Sequence, residues 1–323
     1  MKVILTGGAG FIGSCMLWKL NSMGIADVIV VDTKKDGTSY PTLKKKKFSD
    51  YLSREDLLLR LSKGQLADVD LILHLGACTD TTERDENYLR QNNLGYSQTL
   101  LEWANTKNKF FHYASSAAIY GDGKKGYSDD PQKIKDFKAL NFYGESKRLF
   151  DLWLFEKKLL GDIVGFRYFN VFGPNEYHKG PMRSMISKAF DQIKEKGRVQ
   201  LFASSRPGYA DGSEERDFVY VKDVVNVMAY FIEHPDRRGI FNIGTGKARS
   251  FKDLVKTVFH AQNKEPQIEY IPMPESLRGQ YQYFTQADLS NLRKVGYSVS
   301  FQSLEGSVKD YVQNHLIKED SYL

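Results

Sequence analysis

The sequence predicts an α/β protein whose core is a doubly wound parallel sheet, with a smaller α/β substrate-binding domain beside it. Three observations carry this expectation. Short apolar runs alternate with amphipathic helical stretches through the first half of the 323-residue chain, an order that places parallel strands under helices on both faces. A glycine-rich turn follows the first run directly, and an acid, Asp32, closes the second.

In chain order, the run 3–6 leads into Gly7, Gly8, Gly10 and Gly13. Gly8, Gly10 and Gly13 fit G-x-G-x-x-G, whereas Gly7, Gly10 and Gly13 fit the G-x-x-G-x-x-G variant. Either spacing lets the chain turn sharply and bring backbone amides against a phosphate at a helix N-terminus. A strand before the turn, a helix after it and Asp32 at the end of the run 28–32 together read as a Rossmann-type dinucleotide site, with the carboxylate placed for a ribose hydroxyl. The runs 71–76, 110–115 and 163–170 continue the sheet.

After Gly173-Pro174 the regularity breaks. A loop-rich stretch at 175–180, a helix at 182–196 and a polar stretch at 204–215 belong to the substrate-binding part, while strand-like runs at 218–221 and 240–243 signal re-entry into the first domain. The expected division is therefore 1–172 for the dinucleotide, with re-entry near 216–246, and 173–323 mainly for substrate, interleaved.

Composition excludes several classes. No apolar run approaches the roughly 20 residues a membrane span requires, and the first residues form a core strand where a secretory leader would be basic and then apolar, so a cytoplasmic protein without membrane association is expected. A net charge of +6 is spread along helical stretches and forms no nucleic-acid stripe. Two cysteines, Cys15 and Cys78, supply neither a disulfide framework nor a metal-ligand set. The run Lys44-Lys45-Lys46-Lys47 reads as a solvated edge, with a phosphate role left open by its nearness to the adenosine end of the cofactor.

The chemistry centres on Tyr143 and Lys147, four residues apart on one helix face. A free phenol ionises near about 10, and an adjacent ammonium is expected to pull that value down, making the pair a proton-transfer device. Upstream, Ser115 and Ser116 place hydroxyls at the carboxyl edge of the sheet, where ligands bind.

Together with the glycine turn and Asp32, the order Ser116, Tyr143, Lys147 resembles the extended branch of the short-chain dehydrogenase/reductase family, over the whole chain. Further matching stretches are Leu75-Gly76-Ala77-Cys78, Asn92, 167–174 and 216–223. The resemblance implies catalytic roles for Ser116, Tyr143 and Lys147. It implies cofactor contacts from Gly7, Gly10, Phe11, Ile12, Gly13, Asp32, Thr33, Ser39, Arg54, Leu75, Gly76, Ala77, Cys78, Thr79, Asn92, Lys147 and Val171.

The family's 4,6-dehydratases carry Asp-Glu after the catalytic hydroxyl; Ala117-Ala118 stand there instead, which argues against dehydration. The stretches 177–182 and 284–289 resemble the members that invert C6 of an ADP-linked heptose. That likeness implies Lys179 as a second proton-transfer group, with substrate contacts from Ser116, Asn170, Lys179, Pro181, Lys188, Phe202, Arg216 and Tyr281. It also implies a homo-oligomer, typically a pentamer, and NADP as cofactor, NAD remaining possible because Ser39 stands where a lysine is common and Asp32 suits a free ribose hydroxyl. Lys34 or Lys35 supplies compensating charge in that reading. A UDP-hexose 4-epimerase and, further off, a non-catalytic NAD(P) sensor are the alternatives. The stretch 205–215 is longer than the family pattern; it either reshapes the nucleotide pocket or extends a surface loop.

Overall fold

The computed structural model describes residues 1–33, 40–206, 208–275 and 282–323. Twelve strands are present among them: β1 (Val3–Thr6), β2 (Val28–Asp32), β3 (Asp50–Ser53), β4 (Leu71–His74), β5 (Phe110–Ser116), β6 (Ile163–Tyr168), β7 (Asn170–Phe172), β8 (Val199–Phe202), β9 (Glu215–Tyr220), β10 (Gly239–Ile243), β11 (Ala248–Ser250) and β12 (Ile268–Ile271). Seven of them form one sheet in the order β10-β6-β5-β4-β1-β2-β3. Every pairing in that sheet is parallel. The main helices are α1 (Phe11–Ser22), α2 (Arg54–Ser62), α3 (Glu86–Leu89), α4 (Tyr96–Thr106), α5 (Phe142–Glu156), α6 (Met185–Lys196), α7 (Val221–Glu233) and α8 (Phe251–Ala261).

Alternation along the strands divides the core between two faces, because successive side chains leave a strand on opposite sides. Val3 and Leu5, Val28 and Val30, and Leu71 and Leu73 pack on one side with Met16 and Leu20 of α1 and Val224 and Phe231 of α7. Ile4, Ile29, Val31 and Ile72 pack on the other with Leu57 of α2, Leu100 of α4 and Phe150 of α5. The chain leaves β1 for β2 and β3, then returns to place β4 on β1's other side. Ligands bind beyond the carboxyl ends of the strands at such a reversal.

The expected strand 163–170 breaks at Phe169. There the amide of Phe169 still donates to the Ile243 carbonyl at 3.0 Å, but the next residues join a separate three-stranded sheet, β11-β9-β7. β8 and β12 pair in parallel as a third, two-stranded sheet. The short strand β3, Asp50-Tyr51-Leu52-Ser53, was not anticipated: its polar composition at the sheet margin carries little apolar signal.

Beneath the site, Asp151 of α5 accepts from Arg167 of β6 at 2.9 Å, from Tyr113 at 2.7 Å and from Ser115 of β5 at 2.9 Å. Both charged side chains are wholly buried. Each hydrogen bond to the carboxylate offsets the cost of burying it, and together they join α5 to the strands that carry Ser116.

Candidate active site

A cleft of about 980 Å³ opens over the carboxyl ends of the central strands. At its base the glycine turn is shaped by close approach. Gly7 has φ 65°, and its amide donates to the Val31 carbonyl at 2.8 Å. A Cβ on Gly13 would stand 2.0 Å from the Gly7 oxygen, and one on Gly7 would stand 2.7 Å from the Cα of Gly76. The structure therefore selects the Gly7, Gly10, Gly13 spacing: these positions bring β1, α1 and the end of β4 into contact. Gly10 precedes α1 with no side-chain cap, so first-turn amides remain for an anion.

Asp32 holds this turn together. Its carboxylate accepts from the amide of Ala9 at 3.0 Å and of Thr33 at 2.8 Å. Arg54, at the start of α2, lies 4.3 Å above the centre of the Tyr96 ring and donates to Asn92. Asp32, Thr33, Arg54 and Asn92 all line the cleft, as do Leu75, Gly76, Ala77, Cys78, Thr79 and Val171. Ser39, Lys34 and Lys35 lie outside the described residues. The basic run points elsewhere: Lys45 pairs with Asp320, and Lys46 donates to the Thr42 and Leu323 carbonyls.

A residue not anticipated from sequence, Asn93, fixes the wall opposite. It lies in a π-helical turn, Arg90–Gly95, between α3 and α4, a local bulge of the kind that accompanies functional sites. Its amide group donates to the Cys78 carbonyl at 2.9 Å and to Ser146 at 3.0 Å, and its oxygen accepts from the Cys78 amide at 2.9 Å. The link from Asn93 to Ser146 ties the 75–79 loop to the helix carrying Tyr143. An isolated Asn-Asn pair has no sequence signature that would mark it.

Ser116, Tyr143 and Lys147 converge in the cleft. Asn141 caps α5, its side chain accepting from the Gly144 amide at 2.8 Å, and so sets where Tyr143 leaves the first turn. Ser116 sits at the end of β5 and accepts from the Ala118 amide at 3.1 Å. The expected depression of the Tyr143 pKa by Lys147 is not found. Burial pushes the Tyr143 phenol upward, and the hydrogen bond to Ser116 opposes that rise. Lys147 instead donates to the Ala114 carbonyl at 2.8 Å, while burial lowers its pKa to about 8, against the pull of Asp151.

Lys179, which also lines the cleft, lies in the 3-10 turn Tyr177–Met182. Its Nζ stands 5.5 Å from the centre of the Phe11 ring. Burial lowers its pKa and Lys188 adds to that effect, with Glu176 opposing. Glu176 anchors the turn: buried itself, it accepts from the Ser184 hydroxyl at 2.6 Å and from Tyr311 at 3.0 Å. Asn170, Lys188 and Phe202 line the same space.

Two expected substrate contacts lie at the margin of the cleft, beside residues that line it. Pro181 does not line the cleft, and neither does Arg216, whose guanidinium donates to the carbonyls of Glu215 and Gln282 and lies 5.5 Å from the centre of the Phe251 ring. Arg216 belongs to β9, where strand alternation puts it on the same face as Phe218, which lines the cleft, and it packs on Phe251, which lines it too. Its neighbours Asp217 and Asp223 have other partners, the turn amides of Thr245 and Gly246 and the amide of Gln302. Tyr281 lies outside the described residues. Among those residues no group of His, Cys, Asp or Glu is arranged to hold a metal ion, and no helix is long and apolar enough to cross a membrane.

Fold and cleft define an enzyme that works with a nicotinamide dinucleotide, and residues 3–244 match the NAD dependent epimerase/dehydratase family, to which the chain belongs. Within it the chain is an epimerase, an isomerase by reaction class. It is 50% identical over 321 residues to an ADP-L-glycero-D-manno-heptose-6-epimerase of Nitratidesulfovibrio vulgaris, covering 99% of each chain. A protein of the same description from Fusobacterium nucleatum is 46% identical, covering 99% of this chain and 100% of its own. The crystal structure of the Helicobacter pylori ADP-L-glycero-D-manno-heptose-6-epimerase superposes with a TM-score of 0.80 at 27% identity, over 97% of this chain and 95% of that one.

Proposed function

We propose that this chain converts ADP-D-glycero-D-manno-heptose to its L-glycero epimer by inverting C6, supplying a precursor for lipopolysaccharide core. The observation that carries the reading is the presence of two separately mounted proton-transfer groups in one cleft: Tyr143 with Ser116 on α5 and β5, and Lys179 on the turn that faces Phe11.

A nicotinamide dinucleotide fits the residues present, since the Gly7, Gly13 and Gly76 contacts leave no room for side chains and α1 opens uncapped toward the cleft. When bound, it supplies a reversible hydride acceptor. Gly7, Gly10, Phe11, Ile12 and Gly13 would hold its diphosphate; Asp32, Thr33 and Arg54 its adenosine end; and the 75–79 loop, Asn92, Lys147 and Val171 the remainder. We infer NADP as the preferred form, because Arg54 lines the cleft near Asp32; NAD is the alternative.

Inversion requires a proton to leave the C6 hydroxyl on one face of the carbon and a proton to return on the other. Tyr143 serves one epimer, with Ser116 orienting the hydroxyl and Lys147 holding the site's positive charge. Lys179, with a proton made easier to share by burial, serves the other. Lys179 and Lys188 also face the diphosphate, with Asn170 and Phe202 completing the substrate wall. The Asp-Glu pair of a dehydratase has no counterpart in Ala117-Ala118, so the carbonyl formed at C6 is returned to an alcohol without loss of water.

In this reading residues 1–172, with re-entry near 216–246, hold the dinucleotide, and 173–323 hold most of the substrate. The enzyme is cytoplasmic and homo-oligomeric, with a pentamer as the expected assembly. The deciding experiment combines mass spectrometry of the nucleotide that co-purifies with turnover on ADP-heptose and on UDP-galactose. Turnover confined to the UDP sugar overturns the assignment in favour of a hexose 4-epimerase.

A further inference from the structure

Within the long stretch 205–215, the residues from Gly208 onward do not all stay at the surface. Ser204 donates to the Asp211 carboxylate at 2.8 Å, and Arg206 lies 5.0 Å and 5.2 Å from the ring centres of Tyr209 and Tyr283. Beyond that braced section the chain turns inward, so that Gly212 and Glu214 line the cleft. Glu214 is 1% exposed. Its Oε1 is buried and has no hydrogen-bond partner among the described residues. Its main chain is held, the carbonyl accepting from the Phe251 amide at 3.1 Å.

A buried carboxylate oxygen without a donor carries the full cost of its lost hydration. Such an atom at the wall of a binding cleft is matched by a donor on the ligand. Three parts of an ADP-linked sugar compete for it. The sugar must reach Ser116, Tyr143 and Lys179, and the diphosphate is matched by the cations Lys179, Arg183 and Lys188 that line the cleft. The lining tied to Glu214 by contact is apolar and aromatic: its carbonyl accepts from the Phe251 amide, and Gly212 lies against Leu201, whose neighbour Phe202 pairs with Ile271. Flat apolar walls suit a heteroaromatic base.

We infer that Glu214 is a specificity-determining residue which accepts a hydrogen bond from the exocyclic amino group of the substrate's purine. This rests on the ADP-linked substrate proposed above. Adenine presents N–H donors at that position, whereas hypoxanthine presents a carbonyl oxygen that would face the carboxylate acceptor to acceptor. Rejection of the wrong base then comes from an unpaired, mutually repelling pair of buried oxygens, which discriminates more sharply than a missing apolar contact.

The test is equilibrium binding of ADP, IDP and UDP to the enzyme loaded with its own nicotinamide cofactor, for the natural sequence and for Glu214→Gln. The natural protein is expected to bind ADP at least about tenfold tighter than IDP, and Glu214→Gln, whose amide both donates and accepts, to bring the two within about threefold. Equal affinity for ADP and IDP in the natural protein overturns the inference, and so does a preference left unchanged by the substitution; in both cases ADP still binds and the substrate reading stands. Binding of UDP without ADP overturns the substrate reading itself. The comparison in the natural protein requires no variant and is independent of turnover.

Discussion

The Nζ of Lys179 lies over the ring of Phe11, 5.5 Å from its centre. One residue belongs to a turn of the second half of the chain and the other to the first turn of the helix after the glycine loop. Their contact fixes a cation in the cleft that Tyr143 also lines, and burial there lowers its hold on a proton.

If both groups carry protons, Tyr143→Phe and Lys179→Met each lower kcat by about a hundredfold or more, the usual scale of general acid–base catalysis. Cofactor absorbance in the purified variants should match that of the natural protein. Near-normal turnover in Lys179→Met would exclude the two-group scheme.

Lys147 makes stability depend on pH. In the folded protein its pKa is lowered to about 8, below the ordinary value of 10.5. Between these values the unfolded chain binds more protons, so stability of the cofactor-free protein rises as pH increases from about 8. Above about 9 the rise is opposed by Cys15, whose thiol burial pushes up to about 12 in the folded protein, and it ends as tyrosines of the unfolded chain begin to ionise near about 10. Lys46, lowered to about 8 by burial, adds to the same slope. Urea titrations at successive pH values should show the rise, and Lys147→Met should flatten part of it.

Gly13→Ala places a Cβ 2.0 Å from the main-chain oxygen of Gly7, which cannot swing aside as a flexible side chain could. Relief requires α1 to move away from β1, so a loss of about 1–3 kcal/mol in stability is expected. The nucleotide that accompanies the purified protein should disappear with it, read by absorbance at the purine maximum. Retention of full nucleotide content would contradict the assigned phosphate site.

Arg54→Ala tests the cofactor's adenosine end. Loss of a guanidinium facing a phosphate is expected to reduce the preference for NADP over NAD by about tenfold or more, a charged hydrogen bond being worth roughly 1.5–3 kcal/mol. Dissociation constants for the two dinucleotides measure the ratio. An unchanged ratio would assign Arg54 to its contacts with Tyr96 and Asn92 alone.

Much of the dinucleotide half was legible because its signals are local. Continuous apolar runs define β1, β2 and β4, and the Gly7, Gly10, Gly13 spacing records close approaches within a single turn. The Tyr143 and Lys147 pair follows from helical geometry. Asn93 was not legible, since its partners Cys78 and Ser146 are distant in sequence and meet it only through the π-helical turn. The reach of Arg216 was likewise not legible: its guanidinium donates to the carbonyls of Glu215 and Gln282 and packs on Phe251, which lines the cleft.

From the amino-acid order alone came the parallel α/β class, the glycine cradle, Asp32 and the Ser116, Tyr143, Lys147 order, because each depends on periodicity or on groups brought close by one turn or one helix. Only the tertiary structure decided which glycine spacing is used, that Lys147 bonds to Ala114 instead of depressing the Tyr143 pKa, and that Glu214 reaches the cleft. Those outcomes depend on desolvation and on contacts between segments far apart in the chain. Neither is encoded in any short stretch of residues, and both appear when the sheets and helices close around the cleft.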